Sequence, residues 1–177
     1  MDLFIVITLA ILAVMGIVVG VSNDAVNFLN SAFGSKAAKK NVILAIAGIG
    51  VMVGVMTSSG MMDVARSGVF YPEMFSYQEI MILFLGMMLS NIILLDIYNT
   101  LGLPTSTTVS LVFGLLGSAM ALALYNIWSG TTDASLGDYI SSGNALGIVS
   151  GILLSVVLAF FTGHLLMYIS RFIFSFR

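Results

Sequence analysis

Residues 3–23, Leu3-Phe4-Ile5-Val6-Ile7-Thr8-Leu9-Ala10-Ile11-Leu12-Ala13-Val14-Met15-Gly16-Ile17-Val18-Val19-Gly20-Val21-Ser22-Asn23, carry no charge, and the next residue is Asp24. About 20 apolar residues suffice for a helix to cross a bilayer, so this run reads as a membrane span with a polar knot, Asn23-Asp24-Ala25-Val26-Asn27, at its end. A carboxylate at or near bilayer depth is costly. It faces a bundle interior, pairs, or binds an ion. A second polar knot, Pro104-Thr105-Ser106-Thr107-Thr108, interrupts another long charge-free stretch. Two such knots in a small membrane protein point to a site for a small polar solute.

Composition agrees with the bilayer reading. Of 177 residues, 59% are hydrophobic and 8% are charged, against roughly 25% charged in soluble domains. The net charge of -2 says little about partners, and no nucleic-acid partner is expected. Asp2 is the only early charge, so the first run is expected to be a retained span and not a cleaved signal. The absence of cysteine removes disulfide, haem and thiolate-metal readings, and the single histidine, His164, cannot build a His-rich metal site. The 12 methionines, Met61-Met62 and Met87-Met88 among them, read as lipid-facing or gap-filling residues and not as a copper path.

The gaps between charges set the expected spans at about 3–22, 41–62, 80–98, 106–125 and 144–169. The loops then fall at 31–40, 63–79, 99–105 and 126–143. The last is rich in Gly, Ser, Thr and Asp and reads as solvated. The expectation is an all-α integral membrane protein with about five transmembrane helices and a helix break near 99–105. Residues 1–177 form a single transmembrane domain. Lys36, Lys39 and Lys40 follow the first span, and Arg171 and Arg177 follow the fifth. The second loop is mixed, with Asp63, Arg66, Glu73 and Glu79. By the positive-inside rule the N-terminus lies outside and the C-terminus inside a multi-pass cell (inner) membrane protein. Gly16/Gly20, Gly50/Gly54 and Gly147/Gly151 are one helical turn apart and read as ordinary close helix packing.

Asn23 and Asn27 share a helix face, with Asp24 about 100° away. A carboxylate, carboxamide oxygens and freed carbonyls would suit a hard cation such as Na⁺. Gly20 and Ser22 make an opening of the helix conceivable there, and a capped, solvated helix end is the equal alternative. At the second knot, Gly102-Leu103-Pro104 breaks the chain and a helix restarts near Ser106. Its first turn offers unpaired N–H groups, hydroxyls and the positive end of the helix dipole, which together suit an oxyanion. A plain N-cap is the other reading, although a cap needs one hydroxyl and four stand here, at 105–108.

Asn23-Asp24-Ala25-Val26-Asn27, Gly34-Ser35 and Leu101-Gly102-Leu103-Pro104-Thr105-Ser106-Thr107-Thr108 resemble the signature of the inorganic phosphate transporter family, Na⁺- or H⁺-coupled phosphate permeases. The resemblance covers about residues 16–124. It implies that Asn23, Asp24 and Asn27 line the ion and phosphate site, with Asp24 the Na⁺ ligand in a sodium-coupled carrier. It also implies that Ser106, Thr107 and Thr108 donate to phosphate, with Thr105 and Asn27 beside them. Departures are Val21-Ser22 for Gly-Ala, Val109 for His, and no acidic residue in the second span. Asp96 in the third span is a candidate compensating carboxylate, and Asn99 a further candidate cation ligand. The alternative for Asp96 is a helix-end cap.

The family carries its signature twice, as inverted repeats around one site, and one copy is found here. The chain is therefore expected to be one repeat, the N-terminal one. Its partners would be inorganic phosphate, Na⁺ or H⁺, the bilayer, and the second repeat or another copy. No cofactor is expected apart from Na⁺. Secondary active phosphate transport is the leading function. The alternative is a non-transporting subunit or scaffold packing through small-residue helix faces. An enzyme is not expected, since no nucleophile–base pair is visible. His164 reads as a packed, hydrogen-bonded side chain.

Overall fold

The computed structural model describes residues 2–58, 68–103 and 105–174. The expected end of the second span at Met62, the pair Met61-Met62, the charges Asp63 and Arg66, the break residue Pro104 and Arg177 lie outside the described residues. Within them, regular structure is helical: α1 Asp2–Gly34, α2 Lys40–Thr57, a 3₁₀ turn Pro72–Met74, α3 Tyr77–Leu101, α4 Thr107–Trp128, α5 Leu136–Tyr139 and α6 Ser142–Ile173. A single antiparallel bridge joins Phe70 to Ile140. Five of the helices are long and apolar enough to cross a membrane, so the all-α integral membrane architecture stands.

Several helix boundaries differ from the sequence reading: α2 ends at Thr57, short of the expected Met62, α4 runs on to Trp128, and the largest difference is at α1. The helix α1 runs unbroken through Asn23–Asn27 to Gly34. Gly20 and Ser22 do not open it, and the expected loop at 31–40 shrinks accordingly. Hydropathy marks where lipid ends and not where hydrogen bonding ends. At 33 residues and about 1.5 Å per residue, α1 exceeds the roughly 30 Å hydrocarbon core. Its exposed side chains, Leu3, Phe4, Ile7, Ile17 and Val18 among them, form a surface that only lipid or other helices would cover.

The chain divides into two units, residues 1–141 and 142–177. In the first, α1 packs on α3 and α3 on α4, while α2 touches α1. Met87, Ile92, Leu95, Val112 and Leu115 form the buried seam. Small residues set its spacing. A Cβ at Gly114 would stand 3.5 Å from Met87 Cγ, and one at Gly86 would stand 3.5 Å from Ser118 Oγ. Helices meet closely in lipid where side chains are this small. The second unit is the 32-residue helix α6, with Arg171 in its last turn.

The loop at 126–143 is not simply solvated. The helix α4 continues to Trp128, and Tyr139, Ile140 and Ser141 are buried. Tyr71 N donates to Tyr139 O at 2.9 Å, and Ser141 N to Val69 O at 3.1 Å. The Phe75 ring lies 5.0 Å from Tyr139 in a tilted arrangement and meets Phe70 edge-on at 5.7 Å. Apolar residues from two loops thus build a small satellite core. Glu79, in the capping box that starts α3 with Ser76, accepts a hydrogen bond from Asn126 near the end of α4.

Candidate functional site

The two polar knots meet. The helix α3 ends where Gly102 adopts φ 67°, a left-handed conformation that costs glycine little. Leu103 N then donates back to Tyr98 O at 2.9 Å. The next helix, α4, begins at Thr107 with Ser106 as N-cap, its Oγ accepting from Val109 N at 3.3 Å. The break near 99–105 therefore stands, and the new helix begins next to Ser106. Its start lies against the polar end of α1.

Five hydrogen bonds from asparagine and threonine side chains build the contact. Asn27 Nδ2 donates to Thr105 O at 2.9 Å and to Asn23 Oδ1 at 3.2 Å. Asn23 Nδ2 donates to Asn99 Oδ1 at 2.9 Å, and Asn99 Nδ2 donates to Val19 O at 3.4 Å. Thr107 Oγ1 donates to Asp24 Oδ1 at 3.3 Å. Asn23 is only 2% exposed, and a buried carboxamide is tolerable because both of its ends are paired.

This directionality divides the site. Asn27 has used both amide protons, and Thr107 has used its one. Among the described residues no donor reaches Asn27 Oδ1 or Asp24 Oδ2, so acceptors remain on the α1 side. On the α4 side the first-turn N–H groups of Thr107 and Thr108 have no intrahelical partner by position. The Ser106 and Thr108 side chains are exposed. The arrangement sets acceptor oxygens on α1 beside neutral donors on α4, and residues 97–132 contain no charged side chain.

The expected residues separate by placement. Asn23, Asp24, Asn27, Asn99, Thr105 and Thr107 share the network. Ser106 and Thr108 flank it without joining it. Asp96 lies exposed on α3, and among the described residues no hydrogen bond brings it to the others. Asn23 and Asn99 hold the network together from inside.

A residue outside the sequence reading also emerges. A cavity of about 390 Å³ between α3 and α4 is lined by Thr105, Ser110, Tyr98 and Asn91, and among the described residues Asn91 Oδ1 is buried without a hydrogen-bond partner. Only its place as a polar residue in an apolar run, Leu89-Ser90-Asn91-Ile92, could have signalled it. A larger cavity of about 590 Å³, with Gly86, Gly117 and Tyr125 on its walls, lies farther along the same helices and away from the knots.

The model of the phosphate transporter family matches residues 6–177. The chain is 29% identical over 140 residues to "Putative phosphate permease TK2061" of Thermococcus kodakarensis, an alignment covering 77% of this chain and 34% of that protein. The chain thus spans about a third of the length of the curated relative it matches. No solved structure matches it. With the family match running over nearly the whole chain, and both signature knots joined in one site, this protein belongs to the phosphate transporter family.

Proposed function

We propose that this chain supplies half of the site of a cation-coupled inorganic phosphate transporter. The contact between Asp24 and Thr107 carries the reading. It joins a carboxylate suited to a cation to the helix start suited to an oxyanion, within one hydrogen bond. Asp24 and Asn27 would supply oxygens to Na⁺ or neutralise H⁺, and Asn23 and Asn99 would hold them in register. Ser106, Thr107 and Thr108, with Thr105 beside them, would offer phosphate hydroxyl and backbone donors. Neutral donors bind an oxyanion less tightly than a bidentate arginine does, which suits a carrier that must release its cargo.

The open polar face points to a second half closing over it. In the inverted-repeat scheme one repeat rocks against the other around a shared site. The lysines at 36, 39 and 40, together with Arg171, favour a cytoplasmic first loop and C-terminus. The test is uptake of radiolabelled phosphate by the full-length transporter in proteoliposomes, under an imposed Na⁺ or pH gradient. Gradient-driven accumulation supports the reading. Phosphate impermeability under both gradients sinks it.

A further inference from the structure

We infer that the Thr107 hydroxyl couples the two solutes by turning its single proton from Asp24 to phosphate when Na⁺ occupies Asp24. The inference rests on the transporter reading above and goes beyond it, since it assigns the coupling to one bond.

The side chain of Thr107 is held between two residues of α1. Its Cγ2 lies 4.0 Å from where a Cβ on Gly20 would stand, and its Oγ1 donates to Asp24 Oδ1 at 3.3 Å. Gly20 and Asp24 are four residues apart on α1 and so share a face. The methyl faces one and the hydroxyl the other. Exchanging the two groups would place the hydroxyl against glycine and the methyl against a carboxylate. The side chain therefore has one favoured setting, and only the hydroxyl proton is free to turn.

A threonine hydroxyl has one proton and two lone pairs. With the proton directed at Asp24, Thr107 has only lone pairs to offer an anion held at the first-turn N–H groups of α4. An oxyanion there meets negative charge density from Thr107 as well as from Asp24. Na⁺ takes oxygen ligands, and Asp24 Oδ1 and Thr107 Oγ1 already lie together. A cation shared by these oxygens engages a lone pair of Thr107 and drives the O–H away from itself. The proton is then available to phosphate. No bond to carbon forms or breaks and no backbone moves; one hydrogen bond changes its acceptor.

Asp24 alone would also couple the solutes, because Na⁺ offsets its repulsion of phosphate. Thr107 adds a directional part that depends on its hydroxyl. Hydrogen bonds to charged groups are worth enough for about a tenfold effect on binding. Coupling of this kind is reciprocal, so phosphate must raise Na⁺ affinity by the same factor.

The experiment measures equilibrium binding of radiolabelled orthophosphate to the full-length transporter in nanodiscs, with and without saturating Na⁺, for wild type, Thr107→Val, Thr107→Ala and Thr107→Ser. Val is nearly isosteric with Thr; Ala provides a second test should Val disturb the helix contact. We expect the ratio of the two phosphate Kd values to fall about tenfold in Thr107→Val and Thr107→Ala and to be kept in Thr107→Ser. The Na⁺ Kd measured with and without phosphate should lose the same factor. A purely structural Thr107 would weaken both phosphate Kd values together, and an unchanged ratio in Val and Ala overturns the inference. Phosphate binding that is independent of Na⁺ in wild type overturns it too, while leaving the phosphate site standing. No phosphate binding in wild type overturns the transporter reading itself.

Discussion

Asn23 and Asn99 stand 76 residues apart in sequence, and their carboxamides meet at 2.9 Å. The bond ties α1 to the last turn of α3, one step before the chain reverses into α4. Asn23 is nearly fully buried, so its amide has no water to fall back on.

Removing Asn99 should therefore cost more than a surface asparagine would. Asn99→Ala leaves Asn23 Nδ2 without that acceptor, at about 1–3 kcal/mol. The expected outcome is a lower melting temperature in detergent together with weaker phosphate uptake. Asn23→Ala should cost a similar amount, and the double variant should cost less than the sum, because the two residues share one bond. Additive losses would show that the pair is not energetically linked.

Asp24→Asn should insert and fold normally while losing cation-dependent phosphate uptake. Asparagine keeps an oxygen to accept from Thr107 but has no charge to hold a cation. Size-exclusion behaviour should match wild type, and uptake under a Na⁺ or pH gradient should fall to the background of empty vesicles. Wild-type uptake in this variant would remove Asp24 from the cation role.

Much of this site could be read in the sequence because polar residues in a charge-free run are conspicuous. Asp24, Asn27, Thr105 and Thr107 stood out on those grounds and came together. Less legible was the role of each. Asn23 and Asn99 read as cation ligands, and what the sequence does not show is that their carboxamides bond to each other, to Asn27 and to Val19 O. Spacing along one helix carries no information about a partner on another. Asp96 stood out by the same criterion and lies exposed, with no hydrogen bond to the network among the described residues. The satellite core of Phe70, Phe75 and Tyr139 escaped because its residues are scattered among Gly, Ser and Pro, with no periodicity to betray burial. The helical run to Gly34 escaped because hydropathy falls before hydrogen bonding stops.

That satellite core leads to a pH prediction. The Asp138 carboxylate accepts from Ser135 N and Ser135 Oγ, both at 2.8 Å. The backbone bond first, then the hydroxyl, holds its pKa below the ordinary carboxylate range. A depressed folded pKa means the box adds stability above the unfolded value of about 3.9, and loses it as pH falls through the folded value. Amide exchange at 136–140 should accelerate selectively when pH is taken from 5 to about 3, after correction for intrinsic rates. Asp138→Asn should show fast exchange already at pH 5. Equal protection across the range would mean the box does not hold α5.

The 177-residue chain by itself should not transport phosphate as a monomer. Asn27, Ser106 and Thr108 are exposed, next to Asp24 Oδ2, which no donor reaches among the described residues, and the Thr107 and Thr108 N–H groups, which have no intrahelical partner by position. Against hydrocarbon, each unsatisfied polar group costs several kcal/mol. The face must therefore meet water, another copy or a second half. If a second half completes the site, as proposed above, a lone copy lacks the donors that half would bring. The measurement is phosphate uptake into liposomes by the purified chain, with its oligomeric state fixed by crosslinking, compared with the full-length transporter. Background uptake by the monomer and gradient-driven uptake once a second repeat or another copy is present is the expected pair. Robust uptake by a proven monomer would show that one copy of the signature makes a whole site, and the half-site reading would fall.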